Sequence, residues 1–265
     1  MKKWTFLKTF CQTRWGHRFK NREELERYQE KELQKYQDFL LQHSPYFAQG
    51  VPKDFRYMDK TFMMDHFNEL NTQGIDRDQA LEMAIRGEQS RDFTEMQGEV
   101  AVGLSSGTSG HRGIFITTET ERSMWAAAIL AKMLPKGKLF GHRIAFFLRA
   151  DNQLYQTINS PLIRLEYFDI FKDSQEHIGR LNDYQPTILV APASTLLDLT
   201  KYLENQTLEI QPQKVVSVAE ILEDRDRDLI RQVFDLSKVD QVYQATEGFL
   251  ACTCSEGNLH LNEDI

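Results

Sequence analysis

The sequence predicts an α/β fold: a largely parallel sheet layered with helices, preceded by a helical N-terminal segment. Three observations predict it. From about residue 98 onward, short runs such as Ile144-Ala145-Phe146-Phe147-Leu148 are apolar without alternation, which fits strands covered on both faces. Those runs alternate with stretches of helical periodicity, the pattern of βα units. Before residue 98 the periodicity is helical only. The expected division is therefore a helical region over 1–97 and an α/β region over 98–265.

Residues 21–43 read as an amphipathic helix, with Leu25, Tyr28, Leu33, Tyr36, Phe39 and Leu40 recurring every three or four positions. Ser44-Pro45 ends it, because the residue before a proline disfavours the helical region. Asp59 is an N-cap for a helix holding Phe62, Met63, Phe67 and Leu70, with Gly74 at its exit, and Asp76 caps a helix through Leu81, Met83, Ala84 and Ile85. Residues 99–102 and 113–118 read as strands. A helix over 119–134 is apolar nearly all round and is expected to be buried. Further strands are expected at 144–148, 187–191, 215–218 and 239–243. The helix after 187–191 is expected to carry Pro192 in its first turn, and another is expected over 222–235.

Composition excludes several classes. With 41% hydrophobic and 27% charged residues the chain is that of an ordinary globular protein. A net charge of −7 with no basic stripe argues against nucleic acid as a partner. No apolar run has the length of a membrane span. Lys8 and Gln12-Thr13-Arg14 interrupt the apolar start, against a signal peptide. Three cysteines fit a reducing, cytoplasmic setting without a disulfide framework. Cys252, Cys254 and His260 supply three zinc-type ligands where a structural site wants four; in a strand, the two cysteines equally suit one core face.

The chemistry concentrates in Val102-Gly103-Leu104-Ser105-Ser106-Gly107-Thr108-Ser109-Gly110-His111-Arg112-Gly113. Glycines let backbone N–H groups approach an anion, hydroxyls add donors, and Arg112 adds a forked charge. A hydroxyl-rich surface hairpin is the plain alternative. The loop joins two strands, unlike a Walker loop, and lacks Gly-Lys-Ser/Thr. Gly103-Leu104-Ser105-Ser106-Gly107 also fits the nucleophile elbow of serine hydrolases. That elbow needs a helix directly after the serine, where a β-rich run follows instead.

Ser105-Ser106-Gly107-Thr108-Ser109-Gly110 resembles the phosphate-binding loop of adenylate-forming enzymes, the superfamily of acyl-CoA synthetases and peptide-synthetase adenylation domains. The nearest branch is the phenylacetate–CoA ligase and coenzyme F390 synthetase-like one. Tyr243-Gln244-Ala245-Thr246-Glu247-Gly248 resembles the Tyr-Gly-x-Thr-Glu motif of that superfamily, and Val218-Ala219-Glu220 resembles its Gly-Ala-Glu turn. Leu259-His260-Leu261-Asn262-Glu263-Asp264 and Leu148-Arg149-Ala150-Asp151-Asn152-Gln153-Leu154-Tyr155 resemble elements of the same branch, so the likeness spans roughly 45–265. Two departures stand out: Gly110-His111-Arg112-Gly113 is one residue shorter than the usual Gly-x-Pro-Lys-Gly, and Gln244 replaces a glycine.

The resemblance implies ATP-dependent adenylation of a small-molecule carboxylic acid, with AMP carried on the acid and a thiol such as CoA as acceptor; an aryl acid, a fatty acid and the phenol-bearing cofactor of an F390-type reaction all stay open. It implies that Ser105 to Gly110 with Arg112 hold phosphates, that Thr246 meets the α-phosphate and that Glu247 binds Mg²⁺. It places Val218, Ala219, Glu220 and Tyr243 around adenine, Gln244 and Ala245 near the acid, and Asn152, Tyr155 and Ser194 among pocket candidates. Zinc at Cys252, Cys254 and His260 is suggested by Cys/His sites in some phenylacetate-ligase-like proteins. Family members continue into a ribose-binding Thr-Gly-Asp motif and a C-terminal lid with a catalytic lysine, whereas this sequence stops at Ile265. The expectation is the larger N-terminal portion of such an enzyme, turning over poorly alone or serving as a nucleotide-binding module.

Overall fold

The computed structural model describes residues 2–16, 18–50, 58–90, 95–105, 112–148, 159 and 163–264. Helix α1 (Lys3–Cys11) runs into a π-helical turn (Gln12–Gly16). Helix α2 (Arg22–His43) starts at Asn21, whose side chain accepts from Glu24 N, and stops at an extended Ser44 before Pro45. Its apolar stripe is less buried than its periodicity predicts: Leu40 is buried, whereas Leu33, Tyr36 and Phe39 are exposed.

Asp59 caps α3 (Lys60–Asp65) by accepting from Phe62 N at 2.8 Å. The expected single helix is split there, because His66 leaves helical geometry before α4 (Phe67–Leu70). Asp76 accepts from Gln79 N and Asp78 N, both at 3.0 Å, opening α5 (Arg77–Ser90). The Gln79 bond leads in holding the Asp76 carboxyl below its ordinary range.

A small antiparallel sheet follows, β1 (Met96–Gln97), β2 (Val100–Leu104) and β3 (Ile114–Thr117). Thr118 and Glu121 form a reciprocal capping box at the start of α6 (Glu119–Met133). The rest is βα alternation: β4 (His142–Leu148), β5 (Ile163–Asp169), α7 (Ser174–Tyr184), β6 (Ile188–Ala191), α8 (Ala193–Glu204), β7 (Lys214–Val218), α9 (Asp224–Val233) and β8 (Asp240–Ala245). Two antiparallel strands, β9 (Gly248–Thr253) and β10 (Leu259–Leu261), complete it. Pro192 is the N-cap of α8 rather than a first-turn residue, its ψ of 152° being extended.

The seven-stranded sheet has the order β10-β9-β8-β7-β6-β4-β5, parallel from β8 to β5. Because strand side chains alternate, the sheet has two cores. Phe147, Phe168, Leu189 and Val215 face Leu181 of α7, Leu196 and Leu199 of α8 and Ile230 of α9. Ile144, Ile188, Val216 and Val242 face the other way, in a cluster with Phe10 of α1 and Ala126, Ala127 and Leu130 of α6. The alanine run in α6 lets α1 pack closely against it. In a parallel sheet the ligand edge is at the C-terminal strand ends, here Leu148, Ala191, Val218 and Ala245.

Candidate active site

The β2–β3 hairpin brings Ser105, the start of the first motif, to that edge. Its register pairs Leu104 with Ile114 and Gly103 with Phe115. A Cβ on Gly103 would lie 2.2 Å from the Phe115 ring, so this glycine is where the aromatic ring crosses the strand. Ser105 closes the pairing: its N–H donates to Gly113 O at 2.8 Å, and its buried Oγ accepts from Gly113 N at 2.9 Å. Ser105 therefore ends a strand of an antiparallel hairpin and spends its hydroxyl on hairpin closure, which does not fit the strand–serine–helix elbow of a hydrolase. Ser106, Gly107, Thr108, Ser109 and Gly110 lie outside the described residues, as do Asn152 and Tyr155.

Arg112 forms a two-pronged ion pair with Glu88 of α5. The hydrogen bond to Glu88 leads in raising the guanidinium pKa further above its already high value. Sequence reading placed Arg112 on phosphate and gave no sign of this partner, which is 24 positions away.

The second motif sits at the end of β8. Thr246 and Glu247 form the exposed turn into β9, and Thr246 Oγ1 donates to Glu247 Oε2 at 3.0 Å. Gln244, the residue in place of a glycine, accepts from Trp125 Nε1 at 3.1 Å, tying β8 to α6. Tyr243 is 53% exposed. Ala219, just past β7, has a left-handed φ of 64°, which swings the chain out of the sheet at the strand end. Glu220 does not reach into open space: it accepts from Ser194 N at 2.8 Å and from Ser194 Oγ at 3.0 Å. Pro192 makes no side-chain cap, so Glu220 caps α8 from the next crossover, with its charge at the helix N-terminus. Ser194, expected in the pocket, is thereby occupied.

A cavity of about 670 Å³ joins some of these pieces, while Arg112, Glu220 and Tyr243 are not on its wall. Ser105, Phe115, Val218, Ala219 and the run Gln244 to Gly248 all lie on its wall. The remaining wall is the hairpin and α6 on one side and the sheet on the other, apolar except for Thr117 and Glu121. Two residues of that wall, Trp125 and Glu121, were not expected at the site. A hydrogen bond between an indole and a glutamine 119 positions away has no local signal.

Cys252, Cys254 and His260 are not drawn together as a metal group among the described residues. Cys252 and His260 are register partners in β9 and β10, Cys254 lies past the end of β9, and Cys252 contacts Asn262. Among the described residues no three His, Cys, Asp or Glu side chains are grouped to hold a metal. Burial raises the Cys252 thiol pKa. Also among the described residues, no helix is long and apolar enough to cross a membrane.

No protein-family model matches the sequence, and no curated protein matches it. Solved structures do match. The structure of 2-hydroxyisobutyryl-CoA ligase in the postadenylation state, in complex with 2-HIB-AMP, aligns with a TM-score of 0.62 at 12% identity, covering 89% of this chain and 52% of that one. The chain shares the fold of that ligase. The same enzyme in the thioesterification state, with 2-HIB-AMP and CoA, aligns at TM-score 0.58 and 12% identity, covering 90% and 53%. Its open conformation gives TM-score 0.58 and 12% identity, covering 86% and 56%. The chain thus spans about half the length of these structures. The α/β class with its mostly parallel sheet and helical N-terminal segment agrees with the fold read from the sequence.

Proposed function

We propose that this chain carries the adenylation site of an ATP-dependent acid–thiol ligase, which joins a carboxylic acid to AMP and passes the acyl group to a thiol such as CoA. One observation carries the reading: Ser105, the first residue of one motif, and the Gln244 to Gly248 run of the other, far apart in sequence, share the wall of a single cavity at the C-terminal edge of the parallel strands. In the reaction a carboxylate oxygen bonds to the α-phosphorus of ATP as the bond to the bridging oxygen of pyrophosphate breaks; thiol attack on the acyl carbon then releases AMP. No protein nucleophile is required, so the residues contribute positioning and charge neutralisation.

In this reading Ser105 to Gly110 hold the leaving phosphates, joined by Arg112 once it exchanges Glu88 for phosphate. Thr246 meets the α-phosphate. Tyr243 and the Val218-Ala219-Glu220 turn border the base, with Glu220 acting through Ser194 and α8. Gln244 and Ala245 line the acid's approach. Glu247 suits Mg²⁺ by the chemistry of its donor: an exposed carboxylate at the cavity wall, where a hard cation uses one or two carboxylates together with substrate phosphates. The bound ion would neutralise phosphate charge. The motif resemblance favours the phenylacetate–CoA ligase and F390 synthetase-like branch as the frame.

The test is calorimetric titration of the chain with MgATP. Changing Thr108 and Arg112 together to alanine should weaken binding at least tenfold; equal affinity in the double variant contradicts the phosphate assignment.

A further inference from the structure

We propose that the acid is an elongated aliphatic one, whose hydrocarbon chain lies beneath α6 across strands β8, β7, β6 and β4. This rests on the adenylation reading and adds the substrate class to it.

The cavity is divided by polarity. Its polar side chains, Ser105, Thr117, Glu121, Gln244, Thr246 and Glu247, come from the hairpin, the first turn of α6 and the end of β8. Past Trp125 the α6 wall is Ile129, Leu130, Met133 and Leu134, with no polar side chain. The stretch from Trp125 to Leu134 is about 13 Å long at the helical rise per residue.

The facing wall is just as uniform. Phe146 on β4, Val190 on β6, Val216 and Val218 on β7 and Val242 on β8 all line it, and alternation puts such residues on one face of the sheet. From β8 to β4 is three strand spacings, about 14 Å. Both walls therefore offer a long apolar path that starts at the polar rim, beside Gln244 and Ala245, where the acid's carboxylate would lie. The volume of about 670 Å³ falls within the usual range for pockets that enclose small molecules. A 2-hydroxy acid or a small aryl acid would leave most of this path unfilled, and a hydroxyl beyond Trp125 would find no side-chain partner on the α6 wall. The Trp125–Gln244 hydrogen bond stands at the border between the polar and apolar parts.

The experiment pairs two readouts on the full chain. The first is calorimetric binding of butanoate, octanoate and dodecanoate without nucleotide. The second is acid-dependent pyrophosphate exchange with the same acids, phenylacetate and 2-hydroxyisobutyrate. Affinity should rise about fourfold per added methylene until the cavity is full. Val190→Phe on the sheet wall and Met133→Phe on the helix wall should each weaken dodecanoate at least tenfold while leaving butanoate within twofold, with a melting curve confirming the fold. Should both variants unfold, the chain-length series in the unaltered protein decides alone. Exchange with phenylacetate or 2-hydroxyisobutyrate and none with dodecanoate overturns the aliphatic assignment and leaves adenylation standing. Affinity that does not grow with chain length also overturns it. Length-dependent binding without exchange for any acid keeps the cavity's occupant and sinks the ligase reading instead.

Discussion

Trp125 donates its indole N–H to Gln244 Oε1 at 3.1 Å, joining the middle of α6 to the C-terminal end of β8 across the cavity wall. One partner lies in a helix that packs on the sheet, and the other stands two residues before the Thr246-Glu247 turn. The bond therefore links the packing of α6 to the position of that turn.

Trp125→Phe keeps most of the ring and removes the donor; Gln244→Ala removes the acceptor. Each should cost about 1 kcal/mol of stability, and a double-mutant cycle should return a coupling of about 0.5–1.5 kcal/mol. Chemical denaturation of the four proteins measures it. Additive losses would mean the two side chains act independently.

Gly103 is irreplaceable for a local reason. Its place opposite Phe115 leaves 2.2 Å between a built Cβ and the ring. Gly103→Ala should destabilise the hairpin by about 1–3 kcal/mol through overpacking. Adding Phe115→Leu should recover part of that loss. A Gly103→Ala protein as stable as the parent contradicts the packing described.

Tyr184 gives a pH dependence with a definite sign. Its hydroxyl donates to Arg164 O at 2.9 Å, with Ile144 O at 3.4 Å. Burial leads, and Glu166 adds, in pushing its pKa up to about 12 from 10.0. A raised folded-state value means the unfolded chain loses the proton first. The stabilisation is fully present below pH 10 and is lost as pH rises towards 12. Tyr184→Phe should be less stable near neutrality and should lose stability less steeply between pH 10 and 12. Identical slopes for the two proteins would remove Tyr184 from the alkaline transition.

Much of this architecture was legible in the sequence, and what was not has physical reasons. Asp59 and Asp76 announced their helices because capping is local, and β4 announced itself through an apolar run covered on both faces. Strand β5 was missed although Ile163, Leu165 and Tyr167 alternate with polar residues, and α7 was missed although Asp173 accepts from Gln175 N at its start. Helix α2 misled in the other direction: its periodicity is real, but Leu33, Tyr36 and Phe39 stay exposed. At the site, motif residues could be named, whereas their partners could not. Glu88 on Arg112, Ser194 on Glu220 and Trp125 on Gln244 are contacts made by topology. Gly103 looked like a motif glycine until the hairpin register set Phe115 against it.

Acid-dependent exchange of labelled pyrophosphate into ATP shows whether the cavity shared by Ser105 and the Thr246-Glu247 turn is an adenylation site. Exchange by the unaltered chain with Mg²⁺ and an accepted acid is expected, falling at least a hundredfold in Glu247→Gln. Exchange that is unaffected by Glu247→Gln would contradict that assignment.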